Sequence, residues 1–197
     1  MKSFGFGSFL ISNLDIEEDL IQSLLDNCSK ITIKKDEILI SKGELCQHTF
    51  FVESGLLRQY FLDEKGKEHI IQFAPEGWFI TDRASSFFNE PSEYYIQAIE
   101  DTTILIFDNS FIEKLSNELP GFVNFNNKLL HSYIRNLQNR VVQLIALTAE
   151  DRYLDFIKTY SNITLRVPQI MIASYLGIAP ESLSRVRKEL ADKNFRK

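Results

Sequence analysis

Near its end the sequence carries GIAPESLSRVRKEL, residues 177–190. Folded as a helix behind a short turn, this stretch turns Leu183, Val186 and Leu190 to one side and leaves Glu181, Ser182, Ser184, Arg185 and Lys188 on the other. The outward set has the donors and acceptors that read base edges in a major groove. Arg gives two parallel donors to guanine, Glu accepts from the cytosine amino group, and Ser serves base or phosphate. Lys188, with Arg187 and Lys193, suits phosphates, contacts that add affinity without sequence information. The competing reading is a solvated helix face on which Glu181 and Arg185 form an i,i+4 ion pair.

What must position these side chains is legible just upstream, in VPQIMIASYLGIAPESLSRVRKEL. Pro168 can open one helix, Gly177 can end it, and Pro180 suits the first turn of the next. With apolar Ile172, Leu183 and Val186, and small Ala173 where two helices would cross, the spacing is that of a helix-turn-helix. The charge follows the same boundary. Residues 166–197 hold seven Lys or Arg against three Asp or Glu, a local +4, which leaves −9 for the rest of a chain of net charge −5. A basic end on an acidic body suggests one small region that meets a polyanion.

Other chemistries find little support. Cys28 and Cys46 are too few and too far apart for a zinc site or an iron–sulfur cluster, and both are expected to be reduced and structural. His48, His69 and His131 show no paired ligand spacing, so no metal site is expected. There is no phosphate-binding Gly-rich loop, activated Ser or Cys arrangement, or HExxH motif. No enzyme and no cofactor are therefore expected. No apolar run reaches the eighteen or so residues of a membrane span, and MKSFGFGSFL has one Lys and no cleavage pattern, so a cytoplasmic protein without membrane contact is expected.

With 197 residues and 44% hydrophobic content, the chain can bury one large core or two small ones. Between Ile31 and Phe107, runs such as ITI, EILI, TFFVE, LLRQYFL and TILIF alternate with Gly43, Gly55, Gly66 and Gly77, which predicts a β-rich sandwich, roll or barrel. LDEKGKEH has the residues of a hairpin tip. A short helix is expected over residues 13–27. After Pro120 the period turns helical, and a long helix is expected from Phe122 to Thr148. Leu130, Ile134, Leu137, Val141, Leu144 and Thr148 recur at spacings of 4, 3, 4, 3 and 4, a heptad seam suited to a homodimer. Phe122, Phe125, Leu129 and Ile145 form a neighbouring stripe suited to the β-domain core. A second helix over residues 149–160, capped by Thr148, leads to the helix-turn-helix.

This order resembles the Crp/Fnr superfamily of cyclic-AMP-receptor and fumarate-nitrate regulators. KGE at residues 42–44 and FFVESGLLR at residues 50–58 look like its signatures, and Glu181, Ser184 and Arg185 match the E-x-x-S-R pattern of the fumarate-nitrate branch. The resemblance implies an α+β protein with an N-terminal antiparallel β-roll (a cupin-like double-stranded β-helix), a long dimerisation helix and a C-terminal helix-turn-helix. Its domains would be a sensor over residues 1–120, a dimer helix over 121–148 and a DNA-binding domain over 149–197. It also implies a homodimer on double-stranded DNA at half-sites similar to TTGA, with RNA polymerase and a small-molecule effector as further partners.

Three departures shape that expectation. Where cyclic-AMP sensors carry Gly-Glu and then, eleven residues after the Gly, Arg-Ser or Arg-Thr, this chain has Thr81-Asp82 and Ser92-Glu93, with Arg83 expected at the surface. The phosphate-binding Arg is replaced and a carboxylate added, so an effector other than cyclic AMP, or none, is expected. The cysteine set of oxygen-sensing members is missing. The sequence stops seven residues after Leu190, so a complete β-hairpin wing is not expected. The alternative is a cyclic-nucleotide or small-ligand module that signals through protein contacts.

Overall fold

The TFFVE run shows how the sequence builds its sheets. Strands buried on one face alternate apolar and polar residues, whereas this run is apolar at consecutive positions and must be covered on both faces. The computed structural model, which describes residues 5–14, 16 and 28–195, covers both. Eight strands, β1 (Ser29–Ile33), β2 (Ile38–Ile40), β3 (His48–Ser54), β4 (Leu57–Leu62), β5 (Glu68–Ala74), β6 (Phe79–Ile80), β7 (Tyr95–Ala98) and β8 (Thr102–Asp108), form two four-stranded sheets. Their orders are β1-β8-β3-β6 and β2-β7-β4-β5, and β1 and β3 flank β8 in antiparallel register. In β3, Phe50 and Val52 face a core with Ile33, Ile80 and Ile104 of their own sheet and Ile40, Leu57, Ala74 and Ile96 of the other. Phe51 points the opposite way, into a second core.

That second core is aromatic and lies under helices. It joins Phe51, Leu105 and Phe107 to α1 (Phe6–Asn13), α3 (Asn109–Glu118) and the first turns of α4 (Phe122–Ala146), through Phe6, Leu10, Phe111, Leu115, Phe122 and Phe125. Phe6 lies with its ring centroid 4.7 Å from that of Phe107, and Phe9 5.7 Å from Phe125. Asp108 starts α3 by accepting from the Phe111 amide at 2.8 Å. The short α2 (Arg83–Phe88) is started in the same way by Asp82. The helix expected over residues 13–27 lies outside the described residues but for Asn13, Leu14 and Ile16.

The expected hairpin tip is formed. Asp63 Oδ1 accepts from the Lys65 and Lys67 amides at 2.9 and 3.0 Å, and Gly66 takes a positive φ of 75° between β4 and β5. Gly55 is needed for a different reason. At φ 98°, a side chain there would meet Thr102 Cα at 2.6 Å.

Contacts divide the chain into two compact units, residues 1–67 with 71–130, and residues 68–70 with 131–197. The second unit holds the rest of α4, then α5 (Ala149–Thr159), α6 (Gln169–Leu176) and α7 (Pro180–Phe195). Thr148 caps α5, accepting from the Asp151 amide at 3.2 Å while its hydroxyl donates to the Asp151 carboxylate at 2.6 Å. The core role expected for Ile145 is corrected: it is 79% exposed. It lies sixteen residues beyond Leu129, about 24 Å along the helix axis, in the other unit.

Candidate nucleic-acid interface

The helix pair is built by its punctuation. Pro168 precedes α6, Gly177 ends it in the left-handed conformation at φ 66°, and Pro180 is the first residue of α7. The turn closes with the Ile178 amide donating to Ala173 O at 3.1 Å. Ile172, Ala173 and Leu176 of α6 are buried, as are Leu183 and Val186 of α7. Ala173, fully buried, has no side-chain atom beyond Cβ, which lets the two helices approach. Leu190, expected in the core, is only half-buried.

With one face of α7 committed, Glu181, Ser184, Arg185 and Lys188 stand exposed, while Ser182 and Arg187 are half-buried beside them. Arg185 does not make the i,i+4 ion pair. Its guanidinium reaches the Ser182 hydroxyl at 3.4 Å and stays on the same exposed face as Glu181. Lys193, expected on phosphates, is held by the Glu150 carboxylate at 2.7 and 3.0 Å, a hydrogen bond that raises its pKa. A shallow cavity of about 260 Å³ is lined by Ser184, Arg187, Lys188 and Gln169. Gln169 was not singled out in the sequence. The available signal was Pro168, since the first residue of a helix sits among unpaired N–H groups that favour anions.

The seam residues Ile134, Leu137, Val141 and Leu144 are between 41 and 55% exposed along one stripe of α4, and Leu130 is half-buried. In the first unit, Thr81, Asp82 and Ser92 come together in the interior. The Ser92 hydroxyl donates to Asp82 Oδ2 at 2.6 Å, and Asp82 Oδ1 accepts from the Ala84 and Ser85 amides at 3.0 and 3.3 Å. Thr81 donates to His48 O at 2.8 Å. Backbone bonds of 2.8 Å run both ways between Ser92 and the KGE loop, from the Gly43 amide and to Glu44 O. Glu93 turns away to pair with Lys42 at 2.8 Å, and the half-buried Arg83 lies 5.7 Å from the Phe87 ring. Among the described residues there is no group of three or more His, Cys, Asp or Glu placed to hold a metal, and no helix long and apolar enough to cross a membrane.

Residues 30–118 match the cyclic nucleotide-binding domain family. Over 192 residues the chain is 26% identical to the anaerobic regulatory protein of Haemophilus influenzae, covering 89% of this chain and 74% of that one. It is also 26% identical over 192 residues to the fumarate and nitrate reduction regulatory protein of Yersinia pestis, covering 89% and 76%. The structure of FixK2 from Bradyrhizobium japonicum superposes with a TM-score of 0.73 over 85% of this chain and 86% of that one, at 20% identity, a likeness of fold. The α+β architecture of antiparallel sheets followed by helices, the match to a cyclic nucleotide-binding domain and the similarity to relatives named as anaerobic and as fumarate and nitrate reduction regulatory proteins all point the same way, to a chain similar to regulators of the Crp/Fnr type.

Proposed function

We propose that the chain acts as a homodimer that reads a two-fold symmetric DNA site through α7. Glu181, Ser184 and Arg185 contact bases, Ser182, Arg187 and Lys188 contact phosphates or flanking bases, and RNA polymerase is the partner on DNA. The observation that carries this reading is the division of α7, whose Leu183 and Val186 are buried while Glu181, Ser184, Arg185 and Lys188 are exposed in one row. A helix seated so firmly and charged so evenly on its free side suits a groove about 12 Å wide. The exposed stripe from Ile134 to Leu144 supports a seam between two copies, with Leu130 at its margin. We assign residues 1–120 to a sensor domain of β-roll type, 121–148 to the dimer helix and 149–197 to DNA binding.

The interior at Thr81, Asp82 and Ser92 supports an effector other than cyclic AMP, or none. Asp82 already spends both carboxylate oxygens on Ser92 and two amides, and no Arg stands at position 92 to meet a cyclic phosphate. Selection of sites from random duplex DNA tests the reading. Wild type should enrich a palindrome with half-sites one helical turn apart, about 34 Å. Arg185→Ala should lose about 1–3 kcal/mol and relax one base pair per half-site, whereas Lys188→Ala should weaken all sequences alike. An Arg185→Ala motif identical to wild type would sink the assignment of that residue as a base reader.

A further inference from the structure

A helix leaves its last carbonyls without internal partners, and two such ends meet in the second unit. α4 ends at Ala146 and α6 at Leu176, before Gly177. One side chain from α5 takes both. Arg152 Nη2 donates to Leu144 O at 2.9 Å, Nε to Leu147 O at 3.0 Å and Nη1 to Leu176 O at 3.1 Å. The guanidinium fork is suited to this because its five N–H groups point in fixed directions, and its charge meets the negative ends of two helix dipoles. At α6, the turn's own bonds go to Ala173 O and Ser174 O, which leaves Leu176 O for Arg152.

Two more contacts lie beside this one. A Cβ at Gly177 would come within 3.1 Å of Leu144 Cδ2, so a residue of the proposed seam abuts the turn of the helix pair. One turn back along α4, Arg140 stacks its guanidinium 3.7 Å from the centre of the Tyr175 ring of α6. Tyr175 itself packs on Phe156 and Tyr160.

We propose that Arg152 is a positioning residue that clasps the end of α4 to the end of α6, and so sets how far apart, and at what rotation, two recognition helices are held. Arg152 touches no base in this scheme. It selects the spacing between half-sites, where α7 selects their sequence. The inference rests on the DNA-binding reading above, and its test has one arm that needs no DNA.

The first arm measures the affinity of the full chain for palindromes whose half-sites are drawn apart or together by one and two base pairs. One base pair rotates a half-site by about 34° and moves it about 3.4 Å, so wild type should lose about tenfold per step. Arg152→Ala should weaken the best site and lose less than about threefold per step. Arg152→Lys should fall between, since an ammonium lacks the fork. An Arg152→Ala profile parallel to wild type, however weak, overturns the proposal.

The second arm is amide hydrogen exchange in the absence of DNA. Both variants should exchange about tenfold faster at residues 144–147 and 173–178 while the residues of β3 and β8 stay protected. Unchanged exchange in the alanine variant also overturns the proposal, and loss of protection throughout directs the judgement to Arg152→Lys, read by the same two outcomes. If wild type selects no duplex, the DNA reading falls by itself and the exchange arm decides whether the clasp exists.

Discussion

Leu137→Glu puts a charge in the middle of the proposed seam. In the single chain Leu137 keeps 42% of its surface open. Full burial of a leucine is worth about 1.5–3 kcal/mol, so covering that remainder contributes about 0.6–1.3 kcal/mol per copy. A two-fold interface carries the position twice, and the substitution removes about 1–2.5 kcal/mol of apolar burial. Each carboxylate enclosed by the seam adds a desolvation penalty of several kcal/mol, with its own copy as the nearest charge. A total of about 5 kcal/mol or more corresponds to three to four decades in the dimer dissociation constant. Sedimentation equilibrium over a wide concentration range should show wild type as a dimer where Leu137→Glu is a monomer, with Leu137→Ala less than about two decades weaker than wild type. A Leu137→Glu protein with the dimer mass at every concentration refutes this seam.

Two further outcomes follow from the first unit. Calorimetry with cyclic AMP should give no binding in the micromolar range, because Asp82 and Ser92 are hydrogen-bonded to each other at 2.6 Å and position 92 carries Ser in place of the phosphate-binding Arg; a micromolar Kd would contradict this. The Phe111 amide, then the Ser110 hydroxyl, hold the Asp108 carboxyl below its usual pKa. That depression stabilises the fold above the unfolded value of about 3.9 and is lost as pH falls through the folded value. Denaturant titrations should find Asp108→Ala about 0.5–2 kcal/mol less stable than wild type at pH 7, with the gap narrowing below about pH 4. A gap constant with pH would show that the cap does not depend on charge.

Much of the candidate interface was legible because it is local. Gly177 and Pro180 act within a few residues of themselves, and the buried set Ile172, Leu183 and Val186 recurs at helical spacing, so the turn and the outward row on α7 could be located before any tertiary contact was known. The short helices were not legible. α1, with the sequence FGSFLISN, has no clear periodic pattern, and the burial of its Phe6 depends on Phe51 and Phe107, which are distant in sequence. α2 and α3 begin at Asp82 and Asp108, whose capping role is one residue's worth of signal. Ile145 was misplaced because a stripe on a helix gives direction but no endpoint to what packs against it. Arg152 escaped notice for a related reason: its partners are carbonyl groups, which every residue has.

The packing of Phe9 against Phe125 bears on how the chain is made. α1 is synthesised before α4, and Phe125 follows 116 residues after Phe9. At about 5–20 residues per second the interval is about 6–23 s. Throughout it, Phe9 has been translated but the helix that completes its enclosure has not, so the nascent chain carries an incompletely covered aromatic patch on the ribosome. Such a patch is a ligand for holdase chaperones and a starting point for aggregation, and slower translation lengthens its exposure in direct proportion.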